Sequence, residues 1–226
     1  MNIDNVKEQF NKSAIQYDNN RKSVIPCFDD FYKRSVSLLK LHKMDLNNVI
    51  DLGAGTGLLT KEIYELYNNA HYTLVDISVD MLNIAKERFN GLDNFNFIEH
   101  DYIESIPGTN NDLICSALSI HHLENYEKEK LYKNIYKALN KNGCFLNLDL
   151  FIANSAKIDN LFNKWWFNYI AQNSTETDYK NRMEEGRKLD RENTIRETLD
   201  LLKDCGFEDV DCIYNFMKFG VILAMK

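Results

Sequence analysis

Apolar and polar residues define two kinds of segment that alternate along the chain. Short apolar runs such as 49–52 and 113–118 have the length of buried strands. The stretches between them repeat apolar residues every three or four positions, as Leu131, Ile135 and Leu139 do. Strands that alternate with helices predict a parallel sheet with helices on both faces. We therefore predict an α/β fold with a doubly wound, mostly parallel sheet of seven strands.

The two ends of the chain depart from this alternation. Two helices are predicted before the first strand, at 3–16 and 28–41, and about forty residues after position 151 contain no convincing strand. Two late strands, 207–214 and 219–225, are too close in sequence to pair in parallel, so the last strand should be antiparallel. We expect one domain, 1–226, comprising an N-terminal helical segment (1–45), a core (46–151), a helical insertion (152–193) and a C-terminal helix with a β-hairpin (194–226).

The charge and composition of the chain disfavour several classes of binding partner. The 226 residues carry a net charge of -7, which offers no cationic surface to nucleic acid or anionic lipid. No run approaches the ~20 apolar residues of a membrane span, and the polar start lacks a signal peptide's apolar core. Five scattered cysteines without a C-x-x-C pair suggest reduced thiols. We expect a cytoplasmic protein with neither disulfides nor a bound metal.

The strongest chemical signal is a glycine-rich turn between the first strand and the following helix. It reads Asp51-Leu52-Gly53-Ala54-Gly55-Thr56-Gly57. Glycine lets the backbone approach a ligand closely, and helix-start N–H groups bind carboxylate or phosphate. The dinucleotide fingerprint G-x-G-x-x-G does not fit, because its third glycine falls on Leu58, or on Thr60 in the other register. We predict a different ligand over this turn.

Three predicted strands end in acids. Asp51 precedes the glycine turn, Asp76 ends the second strand and Asp101 follows the third. Ligands of open α/β sheets bind outside the carboxyl ends of the strands, where a carboxylate can accept both hydroxyl hydrogens of a ribose. Asp76 is the candidate for that contact, and Asp101 is the candidate for an adenine amino group.

These motifs resemble those of the class I S-adenosylmethionine-dependent methyltransferases, and the resemblance covers essentially the whole chain. The similar segments are 49–57, 74–78 with Met81-Leu82, 99–102, 112–123 and 139–144. The resemblance implies a Rossmann-like fold, S-adenosyl-L-methionine as cofactor and in-line methyl transfer to a small-molecule acceptor. It also implies that the N-terminal segment is a lid over the cofactor.

The resemblance also assigns the cofactor contacts. It implies that Asp76 binds the ribose, that Ile77 and Met81 contact the adenine ring, and that Asp101 and Tyr102 contact its edge. Arg21, in the lid, is expected at the cofactor carboxylate or an acidic substrate, with a surface salt bridge as the alternative. The full set of expected cofactor contacts is Asp51, Gly53, Ala54, Gly55, Asp76, Ile77, Met81, Asp101, Tyr102, Ser116, Ala117 and Arg21, with Ser116 and Ala117 nearest the sulfonium.

Catalytic candidates come from two places. His121 and His122 follow the fourth strand and could accept a proton from an amine or hydroxyl acceptor; alternatively, one ring packs against or caps the next helix. Tyr17, in the lid, is expected near the cofactor, unless it only holds the lid to the core. Trp165 and Trp166 of the insertion could wall a substrate pocket or belong to the core.

Two other functions stay open at this stage. The tail from Gly206 is similar to that of carboxy-S-adenosylmethionine synthases, which would need a cation such as Arg182 or Arg187 for the extra carboxylate. The other is a non-catalytic S-adenosylmethionine-binding module. An RNA methyltransferase is less expected because the chain lacks a basic stripe. The acceptor atom and the oligomeric state, including a homodimer, are undetermined by the sequence.

Overall fold

A seven-stranded sheet forms the centre of the molecule. The computed structural model describes residues 17–42, 46–175 and 186–226, and side chains for 21–41, 46–175 and 187–226. The strand order is β3-β2-β1-β4-β5-β7-β6. The strands are β1 (Asn48–Leu52), β2 (His71–Asp76), β3 (Phe95–Glu99), β4 (Asn111–Ala117), β5 (Leu139–Leu150), β6 (Asp209–Phe216) and β7 (Phe219–Met225).

The predicted fold class is confirmed. Strands β1 to β5 pair in parallel, whereas β7 runs antiparallel to both β5 and β6. The chain builds outward from β1 to β3 and then returns to place β4 on the other side of β1. The carboxyl ends of β1 and β4 therefore form the topological switch point, where open α/β sheets leave a crevice for a ligand.

Helices cover both faces of the sheet. They are α1 (Tyr17–Val24), α2 (Ser35–Ser37), α3 (Leu58–Tyr64), α4 (Val79–Arg88), α5 (Asn125–Ala138), α6 (Ala156–Asn173) and α7 (Ile195–Asp204). Neighbouring strand residues face opposite apolar clusters: Val49 packs with α3 and α4, and Ile50 packs with α5 and α7. Burial of both faces explains why inner strands such as β1 and β4 are largely apolar runs.

The helix predicted at 28–41 is irregular. It consists of a π-helical turn (Asp30–Arg34), the short α2 and a 3-10 turn (Leu38–His42). Two serine hydroxyls bond to backbone carbonyls here: Ser35 Oγ donates to Asp30 O at 3.2 Å, and Ser37 Oγ donates to Arg34 O at 2.6 Å. Such bonds compete with regular helical pairing, which apolar spacing alone does not reveal.

The C-terminal hairpin is tighter than predicted. Residues 207–214 and 219–225 were expected to pair, but β6 begins at Asp209 and extends to Phe216. Phe207 is buried, and its N–H bonds to Leu202 O at the end of α7, so it belongs to the helix terminus. The turn is reduced to Met217 and Lys218, with Met217 at a φ of 53°.

Helix α6 of the insertion packs against α1. Trp166 Nε1 donates to Val24 O at 2.7 Å, and the Tyr169 hydroxyl donates to Lys22 O at 3.1 Å. These carbonyls lie at the C-terminal end of α1, where no further helical turn uses them. None of the helices in the described ranges is long and apolar enough to cross a membrane.

Candidate active site

The glycine turn, residues 53–57, follows β1 at the switch point. Gly53, Gly55 and Gly57 all have positive φ, at 65°, 55° and 79°. A Cβ on Gly53 would lie 2.0 Å from Ser119 Oγ, and one on Gly57 would lie 2.7 Å from the Phe89 ring. Gly55 has no atom within 4 Å of its Cβ position. Two of these glycines are needed for packing, whereas Gly55 borders open space.

Asp76 holds this turn to the end of β2. Its Oδ2 accepts the Gly55 N–H and its Oδ1 accepts the Ser78 N–H, both at 2.8 Å. Burial raises the pKa of Asp76, although the backbone N–H groups of Ser78, Gly55 and Ile77 favour the charged form. Each carboxylate oxygen retains a second lone pair for a further donor.

Asp51 lies beneath the turn. It is almost fully buried, and Thr60 Oγ1 in α3 donates to its Oδ2 at 2.6 Å. Burial raises the pKa of Asp51 to about 7, despite the Thr60 hydrogen bond. The Asp51 carboxylate is therefore bonded to α3, behind the glycine turn.

Asp101, the third acid, and its neighbour Tyr102 differ in burial. Asp101 is half-buried, and its Oδ1 accepts the Ile103 N–H at 2.9 Å. Tyr102 is buried, and its hydroxyl shares a hydrogen bond of 2.7 Å with Ser119 Oγ. Its ring atom Cε1 lies 3.4 Å from the Cβ position of Gly53. Tyr102 and Ser119 thus pack directly against the glycine turn.

Ser119 was not predicted as a site residue. The preceding Leu118 has a φ of 53°, a left-handed conformation that is costly for a branched side chain. This kink follows β4, where Ala117 is half-buried and Ser116 donates through Oγ to Leu52 O at 2.7 Å. Strand propensity contains no signal for such a kink, so Ser119 could not have been found without the fold.

Other expected cofactor contacts lie around the same turn. Ile77 is half-buried after Asp76, and Met81 is buried at the start of α4, where its N–H bonds to Ser78 Oγ at 3.2 Å. Arg21 is buried on α1. Tyr17 begins α1, and its side chain lies outside the described residues.

His121 lies at the end of β4 and is held by Asp149 of β5. Its Nδ1 is 2.5 Å from Asp149 Oδ1, and its backbone N–H donates to Asp149 Oδ2 at 2.9 Å. Burial alone would lower the pKa of His121, but the charge and hydrogen bond of Asp149 outweigh it and raise that pKa. Asp149 was not predicted as a site residue.

His122 and Asp190 complete what we call the histidine cluster: His121, His122, Asp149 and Asp190. Asp190 Oδ1 lies 3.3 Å from His122 Nδ1 and 3.6 Å from His121 Nε2. Burial and the neighbouring charge of His121 lower the pKa of His122. Burial would raise the pKa of Asp190, but the hydrogen bond from His122 and the charge of His121 lower it.

A charge network extends from this cluster into the core. Arg187 lies 3.4 Å from Asp190 Oδ2 and 3.1 Å from Glu192. Lys218, in the hairpin turn, is almost fully buried and lies 2.7 Å from Glu192 and 3.4 Å from Asp159. Arg187, a candidate for binding an extra carboxylate, is therefore already paired with two acids.

The aromatic residues of α6 divide between core and surface. Trp166 is buried and meets Phe219 edge-on at 5.5 Å between ring centroids. Trp165 is 39% exposed, stacks on Tyr169 at 5.8 Å and meets Phe216 edge-on. Trp166 belongs to the core, and Trp165 is the one of the pair that faces outward.

Comparison with known proteins agrees with this geometry. Residues 49–143, which contain β1 to β4 and the glycine turn, match the family described as "Methyltransferase domain". These residues form a methyltransferase domain of the class I S-adenosylmethionine-dependent type. The protein is therefore an enzyme, and its cofactor is S-adenosylmethionine, as the motifs predicted.

Two individual relatives are similar to this chain over longer stretches. The chain is 25% identical over 231 residues to a carboxy-S-adenosyl-L-methionine synthase of Nautilia profundicola, covering 96% of this chain and 98% of that protein. It is 30% identical over 174 residues to a phosphoethanolamine N-methyltransferase of Plasmodium falciparum, covering 75% of this methyltransferase chain and 58% of that protein.

Among solved structures, the DhpI–SAH complex is similar to this methyltransferase. It superposes with a TM-score of 0.69 at 17% identity, covering 98% of this chain and 95% of that chain. Human N-acetylserotonin methyltransferase in complex with SAM gives a TM-score of 0.58 at 24% identity, covering 92% of this chain and 51% of that chain. At these identities the likeness shows the fold alone.

Proposed function

We propose that the protein transfers a methyl group from S-adenosylmethionine to a small-molecule acceptor. The observation that carries the proposal is the pairing of Asp76 with Gly55 at the switch point. Asp76 retains acceptor capacity beside a turn whose central glycine borders open space. A carboxylate beside an accessible backbone suits the ribose and amino-acid ends of this cofactor.

The surrounding residues support a specific arrangement. Asp76 would accept the ribose hydroxyls, and the free oxygen of Asp101 would accept from the adenine amino group. Ile77 and Met81 would line the adenine ring. The remaining proposed contacts are Asp51 from behind the turn, Gly53, Ala54, Gly55, Tyr102, Ser116, Ala117 and Arg21. The cofactor supplies the reactive methyl group, so the chain has mainly to align donor and acceptor.

Substitution of Asp76 tests the cofactor site. Asp76→Ala removes acceptors of charge-assisted hydrogen bonds, each worth about 1.5–3 kcal/mol, so calorimetry should find S-adenosylmethionine bound at least about tenfold more weakly. Asp80→Ala is the matched control, because Asp80 is an exposed acid four residues further along the chain. Unchanged affinity in Asp76→Ala would remove this residue from the site, and no binding by the wild type would refute the proposal.

For the acceptor side, we propose that His121, His122 and Tyr17 lie nearest the reacting groups. The two histidines follow β4 on the same edge of the sheet as the glycine turn, which supports this arrangement. A panel of small amines, alcohols, thiols and carbon acids, screened for release of S-adenosylhomocysteine, identifies the acceptor. Turnover with none of them would favour a non-catalytic module.

A carboxy-S-adenosylmethionine synthase activity is the second candidate. It is favoured by the match to such a synthase over nearly the full length of both proteins. It is disfavoured by the pairing of Arg187 with Glu192 and Asp190, and the other candidate cation, Arg182, lies outside the described residues. Mass spectrometry of the copurifying cofactor separates the two functions, because the carboxylated cofactor is heavier.

The setting of the reaction is also a proposal. All five cysteines are free thiols, as a reducing cytoplasm would keep them. The net charge of -7 favours a small acceptor over nucleic acid. A homodimer remains an alternative to a monomer, and light scattering of the purified protein decides between them.

A further inference from the structure

We propose that His121, His122 and Asp190 form a binding site for a divalent transition metal ion, for which Zn²⁺ is the best match. The sequence predicted no bound metal, because the five cysteines lack the C-x-x-C spacing of a zinc site. The proposal stands on the geometry of the histidine cluster and does not depend on cofactor binding.

The first argument is the spacing of the potential ligand atoms. One atom from each of the three residues lies within 4.8 Å of the others. Asp190 Oδ1 is 3.3 Å from His122 Nδ1 and 3.6 Å from His121 Nε2. Ligand atoms at about 2.0–2.1 Å from a tetrahedral ion are separated by about 3.3–3.4 Å, so only small shifts would bring these atoms to bonding distance.

The second argument is the hydrogen bond behind His121. Asp149 engages Nδ1 of this ring, so the other nitrogen, Nε2, is the one directed towards Asp190. A carboxylate behind a metal-bound histidine fixes the ring and raises its basicity, and this arrangement is typical of zinc sites. The Asp149 side chain is also fixed by the N–H groups of His121 and Leu150.

The third argument concerns charge and access. The side chains of the three ligands are 6%, 14% and 10% exposed, so the site is largely shielded from water. Arg187 lies on the other oxygen of Asp190, Oδ2, which leaves Oδ1 for the ion. Two imidazoles and one carboxylate form a donor set found in zinc enzymes, with a fourth position for water or another ligand.

Such an ion would join separate parts of the chain. The two histidines belong to the 3-10 turn Ile120–His122 after β4, whereas Asp190 lies near the C-terminal end of the insertion. The same segments are also held together by the Arg191 N–H, which bonds to His121 O at 2.7 Å, and by the ion pairs of Asp190. Metal binding would therefore fix the C-terminal end of the insertion beside the end of β4.

The test uses untagged, full-length protein treated with chelator and then titrated with ZnCl₂ by calorimetry. The ligand variants are His122→Ala and the isosteric Asp190→Asn. Asp149→Asn tests the supporting carboxylate. His71→Ala is the control, because His71 is an exposed histidine at the start of β2, on the opposite edge of the sheet. Circular dichroism verifies that each variant folds, and Co²⁺ substitution reports the ligand geometry from visible absorption.

We expect one equivalent of Zn²⁺ per chain in the wild type and in His71→Ala. Binding should be lost in His122→Ala and Asp190→Asn, and should weaken about 10–100-fold in Asp149→Asn. No saturable binding by the wild type, or wild-type affinity in folded Asp190→Asn and His122→Ala, would overturn the proposal. S-adenosylmethionine binding measured in the same chelator-treated protein reports separately on the proposed function.

Discussion

The two sides of the crevice are built from different interactions. On the glycine-turn side, Asp76 binds backbone N–H groups of the neighbouring turn and Asp51 accepts from a threonine hydroxyl. On the histidine side, ionisable side chains pair between segments far apart in the chain, as His121 and His122 do with Asp190 and Lys218 does with Glu192. The first arrangement fixes the backbone itself, whereas the second fixes separate segments to one another. Substitutions should therefore act locally on the first side and globally on the second.

The largest effect is expected on the histidine side. Lys218→Met keeps the length of the side chain but removes the buried cation between Glu192 and Asp159, so that Asp159 loses this partner and Glu192 keeps only Arg187. Loss of one partner from a buried ion pair costs about 3–5 kcal/mol, so the free energy of unfolding should fall by that order. Urea unfolding measures it. Lys133→Met, which removes an exposed pair with Glu129, should change little, and equal effects would contradict the comparison.

A smaller loss is expected on the glycine-turn side. Gly53→Ala combines left-handed strain of about 1–2 kcal/mol with overpacking against Ser119 of about 1–3 kcal/mol. Gly108→Ala has a similar φ, 85°, with no atom within 4 Å of its Cβ position, and so should show the strain alone. Thermal unfolding of both proteins compares them, and a difference below the error of the method would refute the clash.

The smallest effect depends on pH. The pKa of Asp51 is about 7 in the folded protein against 3.8 for an ordinary aspartate. Between these values the folded state binds the proton more tightly than the unfolded state. Stability from this group is therefore present below about pH 4 and declines as pH rises to about 7. The decline between pH 5 and 7 should be about 2 kcal/mol at most.

Asp51→Asn should remove this part of the pH profile, because the amide keeps an acceptor for Thr60 without titrating. Urea unfolding at several pH values measures the slope, and Asp80→Asn is the exposed control. An unchanged slope in Asp51→Asn would show that another group titrates in this range.

The same contrast explains what the sequence could predict. The glycine turn and Asp76 lie close together in the chain, at the ends of consecutive strands, so spacing and strand topology were enough to find them. Asp190 and Asp149 approach His121 only after the insertion and β5 have folded back, so no local pattern marks them. Ser119 reaches Gly53 only through the left-handed Leu118.

Other differences between the predicted and the observed elements also have local causes. The inner strands followed from continuous apolar runs because both of their faces are buried, whereas the edge strands β3 and β6 are partly exposed. The helix predicted at 28–41 broke into three pieces because serine hydroxyls bond to its carbonyls. Strand β6 begins at Asp209 because Phe207 is held at the end of α7. Apolar periodicity contains none of this hydrogen-bond information.

The central claim is that the cofactor passes over Gly55, and one pair of variants tests it directly. Gly55→Ala places a methyl group in the open space beside the turn, whereas Gly91→Ala, at a φ of 84°, introduces similar strain after α4 without an atom within 4 Å. Calorimetry with S-adenosylmethionine should find Gly55→Ala weakened at least about tenfold, which corresponds to about 1.4 kcal/mol, and Gly91→Ala unchanged. Equal affinity in the two folded variants would contradict the account.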